Sequence, residues 1–252
     1  MATGRRSSSS ATGNVDALGP ITAELSRDHP VIRYDDRGAG ESTREGPYDL
    51  DTATSDLEAV VEEAADESAV LLGPADGSHR AVRVASQRPE LVEAVVCVGG
   101  PPVARNAFEG AEGMASSEVV VNALLDMAQA DYRAALRTVI TSANPQMTED
   151  EIRTRVAVQS EYAAPDVSLS RLRAWTKADS TEHSKALGDR LWIVHWPGFG
   201  GGWFPSGREL REVLARALPE AHLVQVDDGM VSRPDQTAVV RRISSATGAA
   251  RS

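Results

Sequence analysis

The segment Gly73-Pro74-Ala75-Asp76-Gly77-Ser78-His79 sets a carboxylate and an imidazole three residues apart, between an apolar run and a helix-patterned one. On a helix that spacing brings Asp76 and His79 within one turn of each other. Asp76 has two readings. It is a general base on a pocket floor, or a carboxylate at a helix N-terminus, where the macrodipole favours it by about 0.3–1 kcal/mol; the second is preferred. His79 is either its catalytic partner or a half-buried histidine on a helix covering a sheet, and again the second reading is the more frequent one. His195 closes the run Leu191-Trp192-Ile193-Val194, with Trp196 beside it in position to line a pocket. Five of the eleven aromatic residues (Trp192, Trp196, Phe199, Trp203 and Phe204) crowd around Gly200-Gly201-Gly202. They form either ordinary core at a sheet edge or the wall of a site for a small hydrophobic organic molecule. The five histidines are too scattered for a metal centre. Gly38-Ala39-Gly40 is too short for a dinucleotide fingerprint and there is no phosphate loop, so neither a metal nor a cofactor is expected.

These residues need elements to hold them, and the pattern supplies a regular alternation. Strand-like runs fall at Pro30–Tyr34, Ala69–Leu72, Ala94–Val98, Leu191–His195 and His222–Val226. Helical spacing marks Leu50–Ala65 and Ser78–Gln87 between them. Such alternation indicates an α/β fold, a mostly parallel sheet with helices on both faces. Between residues 103 and 188 the rhythm becomes purely helical, with starts expected at Ser117, Thr148 and Ser168. The organisation expected is a flexible tail over 1–14, a core of 15–102 and 189–252, and a helical cap or lid over 103–188.

The balance of 26 basic against 37 acidic residues leaves a net charge of −11, which disfavours nucleic acid and anionic membranes as partners. No apolar run is long enough for a membrane span. Arg5-Arg6 lacks the apolar segment of a twin-arginine signal, so a cytoplasmic protein is expected. Lys177 and Lys185 are the only lysines, a skew of the kind a GC-rich bacterial genome imposes. Cys97, the single cysteine, reads as a buried strand thiol.

Five landmarks in order carry a family resemblance. Val31-Ile32-Arg33-Tyr34-Asp35-Asp36-Arg37-Gly38-Ala39-Gly40-Glu41-Ser42, the Gly73–Ser78 segment, Arg88-Pro89-Glu90-Leu91-Val92, Trp192–His195 and Val226–Pro234 resemble the successive motifs of cap-bearing α/β-hydrolases. The resemblance implies a nucleophile elbow at Gly73–Gly77, an acid after Leu191–His195 and a histidine in Asp227–Pro234. It places Ala75 at the nucleophile and Met230 at the histidine, and it finds no carboxylate in Pro197–Gly202. The triad is therefore degenerate, and a serine-hydrolase mechanism is not expected. One oxyanion donor, the Asp76 amide, survives any side chain at Ala75; for the other the sequence offers only Thr3-Gly4-Arg5, and the first strands of the family have no counterpart. Asp35, Asp36 and Arg37 are expected to stabilise a turn.

Three functions fit. The first, and favoured, is a non-hydrolytic catalyst of cyclisation, elimination or rearrangement in a cap-covered apolar pocket. Asp76 and His79 are then the catalytic candidates, and Ala75, Asp76, His195, Trp196, Phe199, Trp203 and Met230 the ligand-binding ones. The second is a pseudo-hydrolase that binds a small molecule or protein without turnover. The third is a serine esterase whose nucleophile has been replaced by Ala75.

Overall fold

The structure is a computed structural model that describes residues 7–11, 22–23, 25–27, 29–64, 68–108, 117–143, 147–195 and 207–226. Six strands form one sheet: β1 (Ser7–Ala11), β2 (Val31–Asp35), β3 (Ala69–Pro74), β4 (Val92–Val98), β5 (Leu191–His195) and β6 (His222–Gln225). Every neighbouring pair is parallel, in the order β2-β1-β3-β4-β5-β6. The central strands β3 and β4 are apolar on both faces and almost wholly buried, as a parallel sheet covered by helices requires. Helices α1 (Leu50–Ala64), α2 (Gly77–Gln87) and α8 (Gly207–Ala217) bury Leu57, Val61, Val82, Leu210 and Leu214 in the same core as Leu71, Val95 and Ile193.

One expectation changes here. Ser7–Ala11 is a strand, not part of a flexible tail: it pairs with β2 on one side and β3 on the other. Four serines carry little strand preference of their own, but two flanking ladders satisfy the backbone donors and acceptors whatever the side chains. Thr3-Gly4-Arg5, the candidate for the second oxyanion donor, lies outside the described residues.

The insertion between β4 and β5 carries α3 (Ser117–Ala130), α4 (Tyr132–Ala143), α5 (Glu149–Tyr162), α6 (Pro165–Thr176) and α7 (Thr181–Leu187). Thr148 caps α5 through a reciprocal capping box with Glu151, as the sequence indicates. Ser168 starts nothing: Pro165, preorganised for the first helical position, begins α6 one turn earlier. Leu124, Ala128, Ala135 and Leu169 give α3, α4 and α6 a small core of their own. Helix α7 returns to the sheet layer, where Ser184 Oγ donates to the Pro102 carbonyl at 2.8 Å and Ser86 Oγ meets His183 Nδ1 at 2.7 Å.

The rest of the insertion is anchored on the turn after β2, and Asp35 and Asp36 do more than stabilise that turn. Tyr162 Oη donates to Asp35 Oδ1 at 2.7 Å, and the Gly40 amide donates to the Tyr162 carbonyl at 2.9 Å. Ala39 and Ala163 form an antiparallel bridge. Asp36, buried, accepts at one carboxylate oxygen from Arg80 of α2 at 3.0 Å and from Arg171 of α6. Removing that negative charge takes from both guanidiniums the carboxylate they bond, and breaking a buried pair costs about 3–5 kcal/mol. Asp36→Asn is expected to lower unfolding stability by that amount in urea titration; a loss below about 1 kcal/mol contradicts the assignment of Asp36 as the anchor.

Candidate functional site

The chain runs from β1 outward to β2, then returns to the other side of β1 as β3, so the direction of strand succession reverses between β1 and β3. In an open parallel sheet, ligands bind at the carboxyl ends of strands at such a reversal. The turn Ala75-Asp76 follows β3 at that place and leads straight into α2.

Ala75 has φ +48°, a left-handed conformation that costs an L-residue about 1–2 kcal/mol. Three contacts hold it there. Its amide donates to the Val98 carbonyl at 2.9 Å, its carbonyl accepts from Ser78 N at 3.2 Å, and Gly100 lies directly against it. A Cβ on Gly100 would stand 2.3 Å from the Ala75 carbonyl oxygen, and one on Gly73 would stand 2.8 Å from that of Gly77. Both glycines are needed for close approach of backbone to backbone. A tight strand–turn–helix of this kind has the backbone geometry of a nucleophile elbow, and Ala75 stands at its apex.

At the first turn of α2 the leading amides have no acceptor inside the helix, so Asp76 N–H is a backbone donor at the head of a helix dipole. The Asp76 carboxylate does not cap α2. It turns to two guanidiniums instead, with Oδ2 3.9 Å from Arg80 Nη1 and 3.8 Å from Arg171 Nη2. Burial pulls the Arg80 guanidinium down, but Asp36, Tyr34 and Asp76 outweigh it and its pKa rises. The four charges form one cluster that joins α2, α6 and the turn after β2. A shallow, open recess lies beside it, lined among others by Tyr48, Leu50, Asp76, His79, Arg171 and Trp175. Ala75 is not among its walls.

His79 is buried, and its Nδ1 lies 3.1 Å from Ser180 Oγ, which also accepts from Arg83 Nε at 3.2 Å. Burial pushes the imidazole down to about 4, against the pull of the Asp76 charge and with the help of Arg83. It is neutral at pH 7, and its hydrogen-bonding partner is Ser180. His195 stands at the end of β5; Val98 pairs with Val194 and Pro74 with Val98, so it lies two strands, about 10 Å, from Ala75 along the sheet edge. It is buried, and neither ring nitrogen has a hydrogen-bond partner among the described residues. Burial, then the Arg211 charge, holds it below the ordinary histidine value. The structure therefore places Ala75, Asp76 and His79 around one turn and leaves His195 farther along. Trp196, Phe199, Trp203 and Met230 lie outside the described residues. Arg80 and Arg171, which sequence reasoning missed, sit at helical positions with no motif around them; only an arginine among the buried-face residues Ala81, Val82, Val84 and Ala85 of α2 marks Arg80 as unusual. Cys97 is buried, and burial pushes its thiol up to about 12, which leaves it unreactive.

Among the described residues no helix is long and apolar enough to cross a membrane, and no group of metal-ligating side chains comes together. No protein-family model and no curated protein matches the chain. Solved structures do. A hydrolase from Oleispira antarctica superposes with a TM-score of 0.80 over 98% of this chain and 92% of its own, at 11% identity. An esterase from Exiguobacterium antarcticum gives 0.78 over 98% and 93% at 18% identity, and a bromoperoxidase from Bacillus anthracis 0.77 over 96% and 88% at 20% identity. This is the α/β-hydrolase fold. The identities are too low to carry activity across, so what the α/β-hydrolase fold does here has to be argued from the elbow.

Two outcomes follow for the elbow. Gly100→Ala is expected to destabilise the protein by about 1–3 kcal/mol, since backbone cannot yield as a side chain does; a neutral change in urea titration contradicts the close approach. An unfolded chain takes up a proton on histidine near 6.5, whereas folded His79 resists one down to about 4. Stability is therefore intact above 6.5, falls as the pH drops between those values and is level below them. His79→Gln should flatten the fall between pH 6.5 and 4, read from urea midpoints; an unchanged slope removes His79 from the acid response.

Proposed function

We propose that this chain is a non-hydrolytic small-molecule catalyst that holds and polarises a carbonyl group at the elbow and attacks nothing. The observation that carries the reading is Ala75 at φ +48°, an elbow backbone kept in its strained form with no nucleophile on it. Strain of this kind is retained where the backbone itself has a use. Here that use is the Asp76 amide, which points positive potential at an oxygen on which negative charge develops. In this reading the insertion acts as a cap, and the ligand is a small hydrophobic organic molecule lined by the aromatic residues Trp196, Phe199 and Trp203 and by Met230. Catalysis then comes from positioning, desolvation and a hydrogen bond, the means by which cyclisations and eliminations are promoted.

One observation favours a second reading, binding without turnover. Asp76 faces Arg80 and Arg171, and burial weakens His79 as a base while Ser180 bonds its Nδ1, so neither is poised to take a proton. Native mass spectrometry of the freshly purified protein separates the two, since a catalyst converts the organic molecule that co-purifies when it is added in excess and a binder returns it unchanged.

Both readings share a sharper test. The wild type should show no saturable hydrolysis of p-nitrophenyl acetate, and Ala75→Ser should take up no stoichiometric label from a fluorophosphonate, because a serine without its base stays protonated. Stoichiometric labelling or saturable esterase activity of Ala75→Ser overturns both, and makes an esterase with a replaced nucleophile the better account.

A further inference from the structure

We infer that Arg171, carried by the insertion, is a positioning residue for the elbow: through the Asp76 carboxylate it makes docking of α6 and the aim of the Asp76 amide a single event. The inference deepens the reading of the elbow as a carbonyl-holding site and rests on it. Asp76 carries both halves of the connection on one residue. Its amide heads α2 next to the left-handed Ala75, and its side chain, about a quarter exposed, lies between the guanidinium of Arg80 on its own helix and that of Arg171 on α6.

Those guanidiniums differ in origin. Arg80 lies four residues along α2 from Asp76 and moves with it, so it fixes the side chain to its own helix. Arg171 comes from α6, which has its own apolar contacts with α3 and α4 through Leu169 and Leu172. Both guanidiniums bond the same oxygen of buried Asp36. When α6 is docked, Asp36 holds Arg171 where its charge reaches Asp76. When α6 lifts, Asp36 loses one of two donors and Asp76 keeps only the guanidinium of its own helix. At 3.8 Å in a half-buried cluster the Asp76–Arg171 attraction lies well inside the screening distance of salt. Other attachments of the insertion are independent of Arg171: Tyr162 to Asp35 and Gly40 to the Tyr162 carbonyl at the end of α5, and Ser180 to His79 and Arg83 before α7. Loss of Arg171 therefore leaves a second anchor in place, so its effect on the elbow can be read separately from detachment.

Hydrogen exchange followed by mass spectrometry tests this on the full chain without any ligand. Arg171→Gln should speed exchange of the Gly73–His79 peptide by about tenfold or more, and Arg171→Lys, which keeps the charge, should restore most of the protection. Coupling is reciprocal, so Asp76→Asn should speed exchange along Pro165–Thr176, where a local role for Asp76 changes nothing. Faster exchange of α6 with an unchanged elbow in Arg171→Gln overturns the inference, and so does an unchanged α6 in Asp76→Asn. If Arg171→Gln fails to fold, the Asp76→Asn measurement decides alone. A failure here leaves the fluorophosphonate result on Ala75→Ser untouched, so the two proposals fall separately.

Discussion

Taking a carboxylate out of water costs several kcal/mol, and an interior position for one is tolerable only with well-placed donors. Asp36 meets that condition by drawing an arginine from each of two directions, one from the helix behind the elbow and one from the inserted helices. Neither guanidinium could be buried alone. Arg80 is almost fully enclosed, and the charges of Asp36 and Asp76 are what keep its guanidinium ionised there. The demand for mutual neutralisation therefore fixes where α6 sits on the sheet edge more sharply than its modest apolar contacts with the core could. Arg37 supports the same turn from outside, with Nε and Nη2 bonded to the two oxygens of Asp56 on α1 at 2.9 and 2.7 Å.

The elbow depends on a different currency, the exclusion of side chains. Gly73 and Gly100 keep β3, α2 and the end of β4 closer than any Cβ would permit, and this crowding supports a left-handed alanine that no local preference would choose. Charge and crowding meet at Asp76, whose backbone belongs to the strained turn and whose carboxylate belongs to the ion cluster. A chain that had lost every use for this turn would gain stability by relaxing it.

Much of this was legible from residue order. The apolar runs of β3, β4 and β5 and the capping box at Thr148 announce their elements because the signal is local and repeated. The elbow is legible too, through glycines placed two residues either side of Ala75. The strand at Ser7–Ala11 is not, since serine says nothing about a ladder supplied by partners far along the chain. The ion cluster is hidden for the same reason: Asp36, Asp76, Arg80 and Arg171 come from three separate stretches, and each alone passes for a surface charge or a turn residue. Asp76 could be read as base or cap; its carboxylate makes no cap hydrogen bond and faces Arg80 and Arg171, and the second of these lies on a helix nearly a hundred residues away, out of reach of any local pattern. The aromatic group at Trp196–Trp203 stays an inference from composition.

The strand β1 sits inside the sheet while preceding both of its partners in sequence, and β3 in particular comes only after β2 and the whole of α1. Until Ala69–Pro74 has been made and brought alongside, β1 exposes a complete row of amides and carbonyls on one edge. An unpaired edge of that kind is a template for any extended segment, and a run of four serines gives the sequence no pattern with which to select its partner. The order in which the sheet closes thus works against assembly from the amino-terminal side. A chain of this design has most to gain from forming β3 and β4 together and admitting β1 last, along the free edge of β3 and beside β2.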